Sequence, residues 1–450
     1  MLDQRLRDEV VELTRALIRI DTSNLPGNET PAAELVRDVL QDAGVDVELV
    51  ARDPARANVV ARIPGTGDGP SLGFVGHLDV VPADARDWTH PPFEAVVDDD
   101  GFLYGRGAID MKNEVAARVV AMAELARSGF RPRGDLVLAM VSDEEDGRAH
   151  VGMHWLVGAM PEIRTDLAVN EGGGNRLTLS DGREMYGISL GEKGTYPVRV
   201  TARGEAGHAS TPTRGDNAVV LLGRLLDRIG SGLPVDAGAT RWSRPFFEEL
   251  LGADVDLEHD VPGALAAVAA LSPSLAHVAP ALLGTTMAPT GLSAGVRLNV
   301  MPPRASMDLD CRVLPDVTAE QVEADLRRRL GEDVGYDLEW LDDFIAGSAS
   351  WPDDTLWSAT RDWLATVDPA GRLLPMVSPG FTDSAFLRDR LGVQAVGFSP
   401  TLVTPYDVVE AGIHNRDERI HVDDLAHSVD FHLHLARSVL GPQEPVPSGH

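Results

Sequence analysis

The sequence predicts an α/β fold: a mainly parallel sheet with helices on both faces, interrupted by an inserted ferredoxin-like α+β domain. Three observations carry this. Between residues 46 and 170 short Val- and Leu-rich runs alternate with helical patterns, which implies parallel strands covered on both sides. Near residue 190 the order becomes strand, helix, two strands, helix, strand, the order of a ferredoxin-like unit. From about residue 345 the first style returns, as in a domain split by an insertion.

The elements follow in order. Residues 4 to 19 have helical apolar spacing, and "TPAAELVRDVLQDAG" predicts a second helix, with Thr30 as N-cap, Pro31 in the first turn and Gly44 as its stop. "VDVELVA", "NVVARIPG" and "SLGFVGHLDV" read as strands. A helix is expected from about Asn113 to Ser128, then the strand in "DLVLAMVSDEEDG", the helical "VGMHWLVGAM" and the short strand in "TDLAVNEGGG". In the insertion, "TYPVRVTARGE" predicts a strand and "DNAVVLLGRLLDRI" a helix capped by Asp216 or Asn217. Residues 233 to 290 are ambiguous helices and Pro/Gly turns. "VRLNVMPPRASMDLDCRVLP" then reads as two strands, "TAEQVEADLRRRLG" as a helix capped by Thr318, and "VGYDLEWL" as a last strand. The expected domains are therefore 1–189, 190–344 and 345–450, the last ending in a frayed Pro-rich tail, "GPQEPVPSGH".

Composition narrows the function. A 43% apolar fraction, 24% charged residues and no apolar run of about 18 residues argue against a membrane-spanning chain. The N-terminal pattern lacks the basic head and apolar middle of a signal peptide, and Cys311 is alone, so a cytoplasmic protein without disulfides is expected. The net charge of −30 argues against nucleic acid or anionic membrane as partners, since both require clustered cations. Lysine occurs only at 112 and 193, both inside motifs, where a solvated state is expected.

The chemistry lies at the ends of the predicted elements. "GHLD" ends an apolar strand on His77 and Asp79, which as alternate residues share one face. "GRGAIDMK" offers Asp110, "SDEEDG" offers Glu144 and Glu145, "NEGGG" offers Glu171, and "AGIHNRDERI" in the returning segment offers His414. Singly, each acid reads as a cap or turn residue and His414 as a surface histidine. Gathered beyond the strand ends of one sheet, so many carboxylates need cations among them. Two histidines and three carboxylates make two mixed nitrogen and oxygen sites sharing a bridging ligand, suited to zinc. Asp79 then accepts the ring N–H of His77 and fixes its tautomer. Neighbouring residues cannot both aim at one point: if Glu145 binds metal, Glu144 projects differently and can take a proton from the metal-bound water.

Together these residues resemble the M20 family of dinuclear metallopeptidases and deacylases, over nearly the whole chain. The resemblance implies that His77 and Glu171 hold one Zn²⁺, that Glu145 and His414 hold the other, and that Asp110 bridges, with Co²⁺ or Mn²⁺ as substitutes. Glu144 becomes the general base, Asp79 orients His77, and the Asp110–Met111 peptide is expected to be cis. "GEAGHASTP" resembles the segment whose histidine, here His208, steadies the oxyanion, often from the partner subunit of a homodimer formed through the inserted domain. "NVMPPRASMDLDCRVLP" resembles the segment in which Asn299 and Arg312 contact the substrate. "PGFTDSAFLR" resembles a Gly-Thr-Asp stretch near the substrate, with Phe381 where a second glycine is common. The expected reaction is hydrolysis of an amide bond beside a free carboxylate in a short peptide or N-acyl amino acid. The alternatives are a desuccinylase or deacetylase of amino-acid biosynthesis, or a non-catalytic binding paralogue.

Overall fold

The computed structural model describes residues 3–212, 215–230, 234, 241–351 and 354–441. The Pro-rich tail from residue 442 lies outside the described residues. The chain forms two compact units, one of Met1–Leu190, Ser350–Pro375 and Thr382–His450, the other of Gly191–Ala349 and Met376–Phe381.

The first unit is built on a twisted mixed sheet. Its strands run in the order Asp46–Val50, Asn58–Ile63, Leu136–Val141, Leu72–His77, Leu167–Asn170, Gln394–Gly397 and Glu184–Glu192. The three central pairings, from Leu136–Val141 to Gln394–Gly397, are parallel, and the flanking ones are antiparallel. The two central strands that begin at Leu72 and Leu136 are buried from end to end, as continuous apolar runs require. On one face lie the helices Gln4–Ile18, Thr30–Asp42, Lys112–Arg127, Asp354–Val367 and Val422–Leu440, packed around Phe74, Leu138, Val169 and Phe431. On the other, Met153–Ala159 and Ser384–Leu391 cover Val75, Ala139 and Ala168. Each large apolar side chain fully buried in this way contributes about 1.5–3 kcal/mol.

The second unit carries an antiparallel sheet in which Thr286–Ala294, Arg304–Val313, Val198–Arg203 and Tyr336–Trp340 follow one another. Numbered by sequence, that order is 2-3-1-4, the ferredoxin-like arrangement, with Ala218–Ile229 and Ala319–Leu330 as its helices. Asn217 caps the first helix, and Thr318 with Gln321 forms a capping box on the second.

Three expectations need correction. The second strand of this sheet is Thr286–Ala294, which begins in the segment expected to hold ambiguous helices and Pro/Gly turns, and "VRLNVM" contributes only Val300–Met301, paired with Gly207–His208. The alternating pattern of 296–300 has no long partner, whereas Thr286–Ala294 gains a full ladder with Arg304–Val313, accommodating Pro289 beside a bulge. Thr30 lies inside its helix, behind the N-cap Glu29, and its hydroxyl donates to Pro54 O. The two lysines are buried, not solvated. Lys112 Nζ donates to Leu17 O and Ile20 O, where the first helix ends, and Lys193 Nζ donates to Ala281 O, Gly284 O and Thr286 Oγ1. Burial pushes both ammonium groups down to about 7.

Candidate metal centre

His77 is the last residue of its strand, and Glu171 follows directly on the neighbouring parallel strand, so the sheet itself places them side by side. Their nearest atoms, His77 Nε2 and Glu171 Oε2, are 3.5 Å apart. Asp110 ends the loop before the helix Lys112–Arg127, and its peptide to Met111 is cis. Its two oxygens face different histidines: Oδ1 lies 3.0 Å from His77 Nε2, and Oδ2 lies 3.3 Å from His414 Nε2. The same His414 nitrogen is 3.0 Å from Glu145 Oε2. Donor atoms of His77, Asp110 and Glu145 fall within 4.8 Å of one another, as do those of His77, Glu144 and Glu171. The second cluster includes Glu144, for which the family resemblance implies the role of general base and not of ligand.

Asp79 is fully buried, and its role divides between main chain and side chain. The main-chain carbonyl lies 2.9 Å from His77 Nδ1, while the nearer carboxylate oxygen is 3.7 Å away. The tautomer of His77 is therefore set by a backbone acceptor, leaving Nε2 to face the acids. The carboxylate instead accepts the amide N–H groups of Glu144 and Glu145, both at 3.1 Å, and the side-chain amide of Asn24 at 3.0 Å. A glutamate pair with its backbone pinned in this way must send its two side chains in different directions.

The electrostatics are those of crowded acids around two rings. Burial opposes charge on His77, yet Glu171 and Asp110 hold its pKa well above the usual imidazole value. Hydrogen bonds to Asp110 and Glu145 raise His414 to about 10. Burial would raise Asp110, but its bonds from His414 and His77 hold it below the usual carboxylate range. Glu144 is raised well above that range by burial and then by Glu171; Glu145 and Glu171 are raised chiefly by burial. Such a set binds protons tightly and exchanges them for divalent ions. The donor chemistry fits: imidazole nitrogens and carboxylate oxygens converge, Asp110 offers one oxygen to each side, and Glu145 Oε1 is buried with no hydrogen-bond partner among the described residues.

Some contributors gave little sequence signal. Glu418, completely buried, accepts the amides of Gly107, Ile109 and Asp110 and pairs with Arg106 at 2.6 Å, so it fixes the loop that carries Asp110. Its position four residues after His414 was the available clue. Asp383, in the quoted "PGFTDSAFLR" stretch, is buried, and burial raises its pKa well above normal among these acids. Asn24, in "DTSN", carried none.

The remaining expected residues belong to the second unit. His208 is exposed, its Nδ1 2.7 Å from Ser210 Oγ, and it pairs with Val300, so Asn299 is a near neighbour through its carbonyl to Ala209 N. Arg312 sits toward the far end of the strand Arg304–Val313 and is held by Asp310 at 2.8 Å and 3.1 Å. The structure thus brings His208 and Asn299 together but not Arg312.

The fold and the paired clusters define a metallohydrolase. The model of peptidase family M20/M25/M40 matches residues 73–438, and the chain belongs to that family; the two clusters are groups of side chains able to hold metal ions. Aminoacylase-1 of Mus musculus is 28% identical over 435 residues, covering 94% of each chain. A succinyl-diaminopimelate desuccinylase of Roseobacter denitrificans is 39% identical over 222 residues, 49% of this chain and 56% of that one. Among solved structures, an M20 family metallo-carboxypeptidase from Sulfolobus solfataricus superposes with a TM-score of 0.72 at 19% identity, covering 96% of this chain and 99% of the other. Among the described residues no helix is long and apolar enough to cross a membrane.

Proposed function

We propose that the protein is a dinuclear zinc hydrolase that cleaves an amide bond adjacent to a free carboxylate, in a short peptide or an N-acyl amino acid, in the cytoplasm. The observation that carries this reading is Asp110 with one oxygen toward each histidine, so that its carboxylate would be the ligand shared by the two ions. His77 and Glu171 would hold one ion, Glu145 and His414 the other. When bound, such ions polarise the scissile carbonyl and acidify the attacking water.

The chain's own residues supply the rest. Glu144, with its backbone fixed by Asp79, accepts the proton of the attacking water and returns it to the leaving nitrogen as the tetrahedral intermediate breaks. To His208 the family resemblance gives the oxyanion, and to Asn299 and Arg312 the substrate's carbonyl and carboxylate. A substrate carboxylate at Arg312 would compete with Asp310 for the guanidinium. We also assign homodimerisation to the second unit, where Val219, Val220, Leu292, Val296 and Leu298 lie exposed.

The test is Glu144→Gln beside the wild type, on a panel of N-acyl amino acids and dipeptides, with metal content measured in both. The expected result is wild-type turnover on part of the panel and a loss of about 10²–10⁴-fold in the variant with both ions retained. A wild-type enzyme that holds its metal yet hydrolyses nothing on the panel overturns the reading.

A further inference from the structure

Beneath the metal centre lies a charged side chain that the mechanism above does not use. Arg118, on the helix Lys112–Arg127, is completely buried. Its Nη1 donates to Val75 O, and its Nη2 donates to Asn170 O at 3.1 Å. Those carbonyls belong to two neighbouring strands, one ending at His77 and the other leading into Glu171. The strands pair with each other from Leu72 and Leu167 as far as Phe74 and Val169. Beyond that point each continues on its outer side, Leu72–His77 with Leu136–Val141 as far as His77, and Leu167–Asn170 with Gln394–Gly397 as far as Asn170. The two strands fork where they present their ligands, and the guanidinium ties one carbonyl on each side of the fork.

The tie is itself fixed from behind. Arg118 Nε donates to His432 Nε2 at 3.1 Å, and Nη2 lies 3.3 Å from Glu114 Oε2. His432 stands edge-on to Phe74 and is 2.8 Å from Ser428 O through Nδ1. Gly76, between Val75 and His77, leaves the space: a Cβ there would meet Arg118 Nη1 at 3.3 Å. A planar fork of five donors is suited to this place, because it can bond two carbonyls and a ring nitrogen at once while its charge lies beside a carboxylate.

We propose that Arg118 is a positioning residue for one half of the metal centre: by clamping the forked strands it sets the separation of His77 and Glu171. The inference rests on the metal-binding reading given above. It assigns Arg118 no contact with substrate. Its effect falls on the position shared by His77 and Glu171, and the position of Glu145 and His414, carried by loops, is little affected.

The experiment compares the full-length wild type with Arg118→Lys, which keeps the charge opposite Glu114 but offers one nitrogen for two carbonyls, and with Glu114→Gln, which leaves the tie to both carbonyls in place. Zn²⁺ affinity of each of the two positions is read by chelator competition, Co²⁺ uptake by visible absorption, and stability by thermal melting. Arg118→Lys is expected to weaken one of the two Zn²⁺ equivalents by about 10–100-fold, the scale of losing a group that orients a ligand, and to leave the other within about threefold. Glu114→Gln is expected to lower the melting temperature and to leave both affinities unchanged. If Arg118→Lys melts lower but binds both equivalents as tightly as the wild type, Arg118 is a core residue only and the inference fails. Should that variant not fold, the double variant Arg118→Met/Glu114→Gln, which removes both buried charges together, is read by the same two outcomes. A wild type that takes up no divalent ion sinks the proposed function and this inference together, a result distinct from the failure of the inference alone.

Discussion

The two histidines of the centre are held in opposite ways. His77 ends a buried strand, is 1% exposed, and has its free ring nitrogen tied 2.9 Å from the carbonyl of Asp79. His414 follows the short helix Tyr406–Gly412, adopts a left-handed backbone with φ near 57°, and leaves 53% of its side chain exposed. Its loop is anchored a few residues on, by Glu418 beneath and by Asp417, which accepts from Thr89 N and Oγ1. One half of the centre is therefore pre-organised by the sheet. The other depends on how well a loop is fastened, and loops open at lower free energy than core strands.

The largest expected effect tests that asymmetry directly. His77 Nε2 belongs to the sheet-held half, so His77→Ala should abolish retention of the ion shared with Glu171, its affinity falling by more than about 100-fold. His414→Ala should weaken only the other, and by less. Metal counts after dialysis distinguish the two, and equal losses in both variants would mean that the centre is a single unit with no rigid half.

Next is the anchor. Glu418→Gln leaves Arg106 buried without its counter-charge, and breaking such a pair costs about 3–5 kcal/mol. Urea titration should show this loss, and metal content should fall first at the position His414 shares with Glu145. A variant as stable as the wild type would remove Glu418 from the account of the loop.

A third expectation concerns pH. The folded, metal-free chain holds a proton on His414 to about 10, above the ordinary value near 6.5. A raised folded pKa gives stability that is fully present below about 6.5 and lost as pH climbs through about 10. Chelated protein should therefore become less stable across that window, and adding Zn²⁺ near pH 7 should release protons from the histidines. Melting curves in chelator and pH-stat titration measure the two effects. Zinc uptake without proton release would show that His414 is already neutral.

The smallest effect is expected from Thr89→Val, which removes the hydroxyl bond to Asp417 but keeps the amide bond. It should cost about 0.5–1.5 kcal/mol, seen in thermal melts, with little change in metal affinity.

Much of the fold was legible because it follows from local patterns. The buried central strands are unbroken apolar runs, Gly44 has the positive φ of a helix stop, and Thr318 caps its helix through a box visible as Thr-x-x-Gln. The strand Thr286–Ala294 was not legible, since Pro289 and Gly291 argue locally against a strand and only the ladder to Arg304–Val313 overrides them. The burial of the lysines was not legible for a similar reason. The carbonyls that make a buried ammonium tolerable lie 92 to 95 residues from Lys112 and 88 to 91 from Lys193, with Thr286 Oγ1, 93 residues away, completing the second set.

The candidate ligands could be named from the chain because metal chemistry restricts them to a few residue types, and those types stood out at strand ends where acids are otherwise hard to explain. Sequence also determined the class of fold, since alternation and its interruption are properties of short windows. Which oxygen of Asp110 faces which ring, that the carbonyl of Asp79 and not its carboxylate meets His77, and that Arg118 and Glu418 fasten the two halves were decided by tertiary structure alone. Hydrogen bonds between segments up to 328 residues apart depend on distances of a few tenths of an ångström, and no local pattern encodes these.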